Sequence, residues 1–77
     1  MIEYKVEVYE YGTEYWVNSK NELHREGDKP AVSNPNGYKQ YFKNGMCHRE
    51  NGPAVIWIDG EVQYWLDGEY LTKVEHE

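Results

Sequence analysis

The chain repeats itself over a short interval. His24-Arg25-Glu26 returns as His48-Arg49-Glu50, Pro30-Ala31-Val32 as Pro53-Ala54-Val55, and Gln40-Tyr41-Phe42 as Gln63-Tyr64-Trp65. Asn36-Gly37 and Asn44-Gly45 return as Asp59-Gly60 and Asp67-Gly68. Units this small cannot bury an apolar face alone, so neighbours have to stack. Glu14-Tyr15-Trp16-Val17-Asn18 matches Gln63-Tyr64-Trp65-Leu66-Asp67 and adds a degenerate first unit. The organisation expected is one domain over residues 1–77. An N-terminal strand and the degenerate unit fill 1–22, fuller units fill 23–46 and 47–71, and 72–77 is a frayed tail.

The punctuation of the units is that of β-hairpins. Five of the 7 glycines follow Asn or Asp, a pair suited to the positive φ angles of two-residue turns. The runs between them are rich in Val, Ile, Tyr and Trp, and none holds a helical period. The fold class expected is all-β, an antiparallel meander of hairpins. Strands are expected at 2–9, 13–17, 22–25, 30–33, 38–43, 46–49, 53–58, 61–66 and 69–74. Ile2, Tyr4, Val6 and Val8 alternate with Glu3, Lys5 and Glu7, so the first strand is amphipathic. Two-residue turns would set Trp57 opposite Val62, Val55 opposite Tyr64, Phe42 opposite Cys47, Tyr64 opposite Leu71 and Trp65 opposite Tyr70. One face then carries Val32, Tyr41, His48, Val55, Trp57, Val62, Tyr64, Leu66 and Leu71. The other carries Phe42, Cys47, Ala54, Ile56, Ile58, Trp65 and Tyr70. Tyr15 and Trp16 continue the rows of Tyr41/Tyr64 and Phe42/Trp65. With both faces apolar, one needs a cover: the N-terminal strand, a second copy or a partner.

Tyr41-Phe42-Lys43-Asn44-Gly45-Met46-Cys47-His48 and Tyr64-Trp65-Leu66-Asp67-Gly68 resemble the core of the MORN repeat. Leu23-His24-Arg25-Glu26 and His48-Arg49-Glu50-Asn51-Gly52-Pro53-Ala54 resemble its bacterial and phage variants, loosely over 13–71 and best over 38–71. The resemblance implies stacked hairpins and a scaffolding or binding role without catalysis. It includes proteins described as antitoxins. Arg25 and Arg49 stand where that pattern has glycine.

Charge and cysteine content narrow the function classes. The net charge is -6, with acids concentrated in 1–17 and 57–77. Such a chain repels phosphate backbones and anionic membranes, and favours a basic protein surface. Cys47 is the only cysteine, so no disulfide framework forms, and a lone thiol fits a reducing cytoplasm. The start of the chain lacks a signal-peptide pattern, and no apolar run approaches the roughly 20 residues of a membrane span. A cytoplasmic location is expected.

His24, Arg25, Glu26, His48, Arg49 and Glu50 could form an acid–base or metal site. The reading adopted is structural, with Arg and Glu pairing between units, because Leu71 fills the third histidine place and metal sites need three or four converging ligands. Cys47 reads as a small apolar filler rather than a nucleophile. No phosphate-cradling loop, nucleophile elbow or CxxC is present. The expectation is therefore no enzyme, no cofactor, no metal and no direct nucleic-acid binding. Phe42, Trp57, Trp65 and Tyr70 are the expected partner contacts, with Glu61 and Glu69 steering a basic surface. The function expected is a small protein-binding inhibitor of a host or cognate protein, such as a phage anti-defence (anti-CRISPR-like) protein or an antitoxin. The alternatives are a self-assembling structural repeat, including a homodimer, and an acidic nucleic-acid mimic.

Overall fold

Among the described residues, short runs of β-branched and aromatic residues between Asn/Asp-Gly turns become nine strands in the computed structural model. It describes residues 12–71 and the backbone of Glu3–Val8. The strands are β1 (Glu3–Val8), β2 (Glu14–Asn18), β3 (Val32–Ser33), β4 (Lys39–Gln40), β5 (Phe42–Lys43), β6 (Met46–Cys47), β7 (Val55–Ile56), β8 (Val62–Leu66) and β9 (Glu69–Leu71). All neighbours pair antiparallel, in the order β1-β2-β3-β4-β7-β8-β9, while β5 and β6 form their own hairpin. The fold is an all-β antiparallel meander, with no α-helix among the described residues. The side chains of the first strand, and the tail at 72–77, lie outside the described residues.

The expected strand at 22–25 survives only as one bridge, Val17 to Leu23. His24 N–H still bonds Trp16 O at 3.0 Å, but Arg25 N–H turns to Phe42 O at 3.3 Å, in the next hairpin. The expected strand 38–43 is divided at Tyr41 for a related reason. Tyr41 N–H bonds Ala54 O in the main sheet, while Tyr41 O accepts from His48 N–H in the β5–β6 hairpin.

The turns are of two kinds. Asn44-Gly45 (φ 49° and 84°) and Asp67-Gly68 (φ 49° and 82°) have positive φ at both positions, as two-residue turns require. Their pairings, Phe42 with Cys47, Tyr64 with Leu71 and Trp65 with Tyr70, are those the turn geometry predicts. The Asp59-Gly60 turn corrects the expectation. Trp57 N–H bonds Glu61 O at 2.8 Å and Gly60 N–H bonds Trp57 O at 2.9 Å, so three residues form the loop. Gly60 sits at φ 93°, and Asp59 Oδ1 accepts Glu61 N–H at 3.0 Å. The extra loop residue moves the register by one: Val55 pairs with Gln63, and Ile56 with Val62. Asn34–Tyr38 repeats this loop, with Gly37 at φ 107°. Asn51-Gly52 is no hairpin turn; Gly52 leaves room for the Arg49 guanidinium, which a Cβ there would approach to 3.3 Å.

The one-residue slip also revises the faces. Tyr15, Val32, Gln40, Val55 and Gln63 are direct cross-strand partners and share the front face. Glu14, Ser33, Lys39, Ile56 and Val62 share the back. Tyr64 follows Gln63 and therefore lies on the other face of the sheet from Val55, not paired with it as expected. The rows slip too. Trp16 N–H bonds Ala31 O at 2.8 Å as Tyr41 N–H bonds Ala54 O at 2.7 Å, so Trp16 occupies Tyr41's place and Tyr15 that of Gln40. The cause is one extra residue between Asn18 and Glu22, accommodated by Asn21 at φ 65°.

Ala31, Val32, Tyr41, Ala54 and Val55 form the core, joined by buried Asn18 and His24. Asn18 has all its hydrogen-bonding capacity used. Its Nδ2 donates to Glu22 Oε1 and Asn44 Oδ1, and its Oδ1 accepts from the N–H of Lys20 and Glu22. Among the described strands, seven form one sheet and β5–β6 a separate hairpin. β1 extends the sheet beside β2 instead of covering a face.

Candidate functional site

The two His-Arg-Glu triplets meet in a back-side groove of about 170 Å3, which also holds Asp28, Lys29, Tyr41 and Lys43. Each histidine ties its own segment to the turn of the next hairpin. His24 Nδ1 accepts the N–H of Asn44 at 2.9 Å, and His48 Nδ1 accepts that of Asp67 at 2.9 Å. A turn N–H has no ladder partner, so the ring satisfies it. His24 Nε2 donates to Glu26 at 2.6 Å, and His48 Nε2 stands 3.5 Å from Glu50. This bond holds the exposed Glu26 carboxyl below its ordinary value. His24, only 1% exposed, therefore has both ring nitrogens engaged, and neither is left to take a substrate proton or a metal.

The arginines act in parallel. Arg25 lies 3.9 Å over the Trp16 ring, and Arg49 lies 3.9 Å over the Tyr41 ring. Each also donates to the carbonyl that precedes a core alanine, at Pro30 and Pro53. Arg49 closes the link between units through a two-pronged bond to Asp28, at 2.8 and 3.2 Å. That bond depresses the Asp28 carboxyl and raises Arg49 further. The expected pairing between units thus uses Asp28 as the acid for Arg49, a residue outside the triplets. The signal available was its place four residues past His24 in a loop that bends at Asp28 (φ 56°).

Cys47 is half-buried on the Phe42 row, and burial pushes its thiol up to about 11. At neutral pH it is protonated and a poor nucleophile. Among the described residues no three His, Cys, Asp or Glu side chains converge as metal ligands. No helix there is long and apolar enough to cross a membrane.

The expected contact residues divide between two ends of the sheet. The rings of Trp65 and Tyr70 pack 5.4 Å apart, tilted by 58°, on the β8–β9 hairpin, and Trp65 Nε1 donates to Gln63 Oε1 at 3.2 Å. Phe42 is half-buried beside Cys47 in the neighbouring hairpin. Trp57 stands at the opposite end, against Tyr38 at 5.2 Å. Glu61 faces Trp57 across the loop. Glu69 pairs with Leu66, which puts it on the opposite side from Trp65 and Tyr70. Of the four expected aromatic contacts, Trp57 and Tyr70 are exposed and Phe42 and Trp65 half-buried.

A second and larger hollow, of about 510 Å3, opens on the front face between Tyr15, Tyr38, Gln40 and Trp57. Sequence reasoning placed Trp57 at a contact surface but missed Tyr38 and Gln40. The register of β4 on β7, Lys39 with Ile56 and Gln40 with Val55, is what gathers them. Comparison of the chain with known families, curated proteins and solved structures finds no match.

Proposed function

We propose that this chain is a non-enzymatic protein-binding module that acts as a small inhibitor, of the phage anti-defence (anti-CRISPR-like) or antitoxin kind. It would be built from tandem MORN-like units of about 23 residues, acting in the cytoplasm on a protein with a basic surface. The observation that carries the reading is the aromatic pair Trp65–Tyr70 on the β8–β9 hairpin, in which Tyr70 stands open to solvent beside half-buried Trp65. Tyr70 remains 55% exposed although it offers a large apolar ring. Such rings are typical anchors of protein interfaces. A net charge of -6 selects a basic partner and speeds its approach. The recurring His–turn and Arg–ring contacts support the tandem-unit reading, and the engaged ring nitrogens of His24 support a role without catalysis.

The test is capture from host or cognate-cell lysate with wild type and with a folded Trp65→Ala/Tyr70→Ala variant. One protein captured by wild type, weakened by salt and lost in the variant supports the proposal. Equal capture by both removes this surface as the contact. Growth of the mass with concentration in light scattering, without a foreign partner, replaces the proposal with self-assembly. That second reading draws on β9, which ends the strand order with an outer edge unpaired among the described residues.

A further inference from the structure

The front-face groove has a composition unlike the rest of the molecule. Charged residues make up 29% of the chain, yet none of the ten residues lining the groove carries a formal charge. Tyr15, Tyr38 and Trp57 supply three aromatic rings, and Gln40, Asn34 and Asn36 supply three amides. Its volume, about 510 Å3, lies in the range of small-molecule sites. We propose that this groove binds a neutral saccharide.

Three observations favour that chemistry. First, a pyranose ring has a face of slightly positive C–H groups, which the negative face of an aromatic ring attracts. Tyr38 and Trp57 lie 5.2 Å apart and are tilted by 48°, so they offer two such faces at an angle. Second, the rim of a sugar is a row of hydroxyls that both donate and accept, and an amide can meet a pair of them. Gln40 is equivalent to Gln63, whose Oε1 is engaged by Trp65 Nε1 at 3.2 Å. Phe42 stands where Trp65 would and has no N–H, so the Gln40 amide makes no hydrogen bond among the described residues. Asn36 uses its Oδ1 on Tyr38 N–H at 3.0 Å, and its Nδ2 remains for a ligand. Third, the competing ligands fit poorly. A nucleotide needs a cation for its phosphate, and the groove has none. An extended peptide gains affinity by adding to a free strand edge, but β2, β3, β4 and β7 beside the groove all have neighbours on both sides.

The proposal is independent of the protein-binding reading, since its probe is the sugar alone. The experiment is a 1H–15N titration of the wild-type protein with maltotriose, cellotriose and chitotriose, each up to about 10 mM, enough to saturate a site of about 1 mM. The result expected is a saturable shift of the Trp57 indole N–H and the Gln40 side-chain amide with at least one of the three. Raising NaCl from about 50 to about 500 mM leaves the affinity unchanged, because no charge takes part. Trp57→Ala weakens binding more than tenfold, and Gln40→Ala weakens it about fivefold, the worth of one hydrogen bond. Trp57 is 43% exposed, so its removal spares the core, and retained amide dispersion checks that. Trp65→Ala, which tests the protein-binding surface, leaves the sugar affinity as it was. The proposal is overturned if none of the three sugars gives a saturable shift at these two groups. It is also overturned if the shifts survive Trp57→Ala, or if adenosine monophosphate shifts them and no sugar does.

Discussion

Replacing His24 by leucine isolates what the triplet histidine contributes. Leucine keeps most of the buried volume and removes both ring nitrogens. The Asn44 N–H, 2.9 Å from Nδ1, loses its acceptor, and Glu26 loses the donor at 2.6 Å. A buried donor left unsatisfied costs about 1–3 kcal/mol. The Asn44 turn is open to water on one side, which puts His24→Leu at about 1–2 kcal/mol within that range. A domain of this length has about 4–12 kcal/mol in total, so the loss is a visible fraction. With a urea slope of about 1 kcal/mol/M, the midpoint falls by about 1–2 M at unchanged slope. His48→Leu is milder, below about 1 kcal/mol, because the ring is 12% exposed and the bond to Asp67 N–H lies at the surface. Leu71 already occupies the equivalent place in the last hairpin, pairing with Tyr64. His24→Ala adds a cavity, about 2–5 kcal/mol for a large side chain, and leaves little folded protein at 37 °C. The assay is urea denaturation followed by tryptophan fluorescence. His24→Leu within 0.5 kcal/mol of wild type, or His48→Leu costing more than His24→Leu, would refute the reasoning.

Acid stability, thiol chemistry and turn conformation give three further tests. The Asp28 and Glu26 carboxyls are both depressed, by Arg49 and His24 respectively, so their contribution is present above the ordinary values of 3.8 and 4.5. It is lost as pH falls through the lower folded values. Asp28→Asn should flatten the fall of Tm below about pH 4, and a curve parallel to wild type would count against the Arg49 link. Cys47, with its thiol pushed up to about 11, should react slowly with iodoacetamide at pH 7.5 and faster toward pH 11. Rapid alkylation at neutral pH would mean that the thiol is not buried on the Phe42 row. Gly60→Ala should cost about 1 kcal/mol, because alanine must hold φ 93° in open space. No change in the thermal midpoint would show that the loop adopts another conformation.

Much of this architecture is legible in the order of residues. Asn44-Gly45 and Asp67-Gly68 state their own turn type, since both positions need positive φ and these pairs tolerate it. Alternating aromatic and β-branched runs state the strands, and the absence of a helical period states the class. The repeated triplets state that two places in the fold are alike, and Leu71 in the third place already argued against a ligand role. The lone thiol, in a run that pairs with Phe42, was readable as filler.

What the order of residues left open was decided by three-dimensional contacts. Asp59-Gly60 looks like Asp67-Gly68, yet it closes a three-residue loop. The choice rests on which loop lets Val55 meet Gln40 and Gln63 while Ala54 meets Tyr41. A strand period of two makes that single residue decisive, moving every following side chain to the other face. Asp28 became the partner of Arg49 because the chain turns at Asp28 and returns beside the second unit, a contact spanning 21 residues. The groove between Tyr38, Gln40 and Trp57 is likewise a product of register. Local propensity specifies turns and strands over a few residues, whereas register and groove follow from which distant pairs can be buried and hydrogen-bonded together.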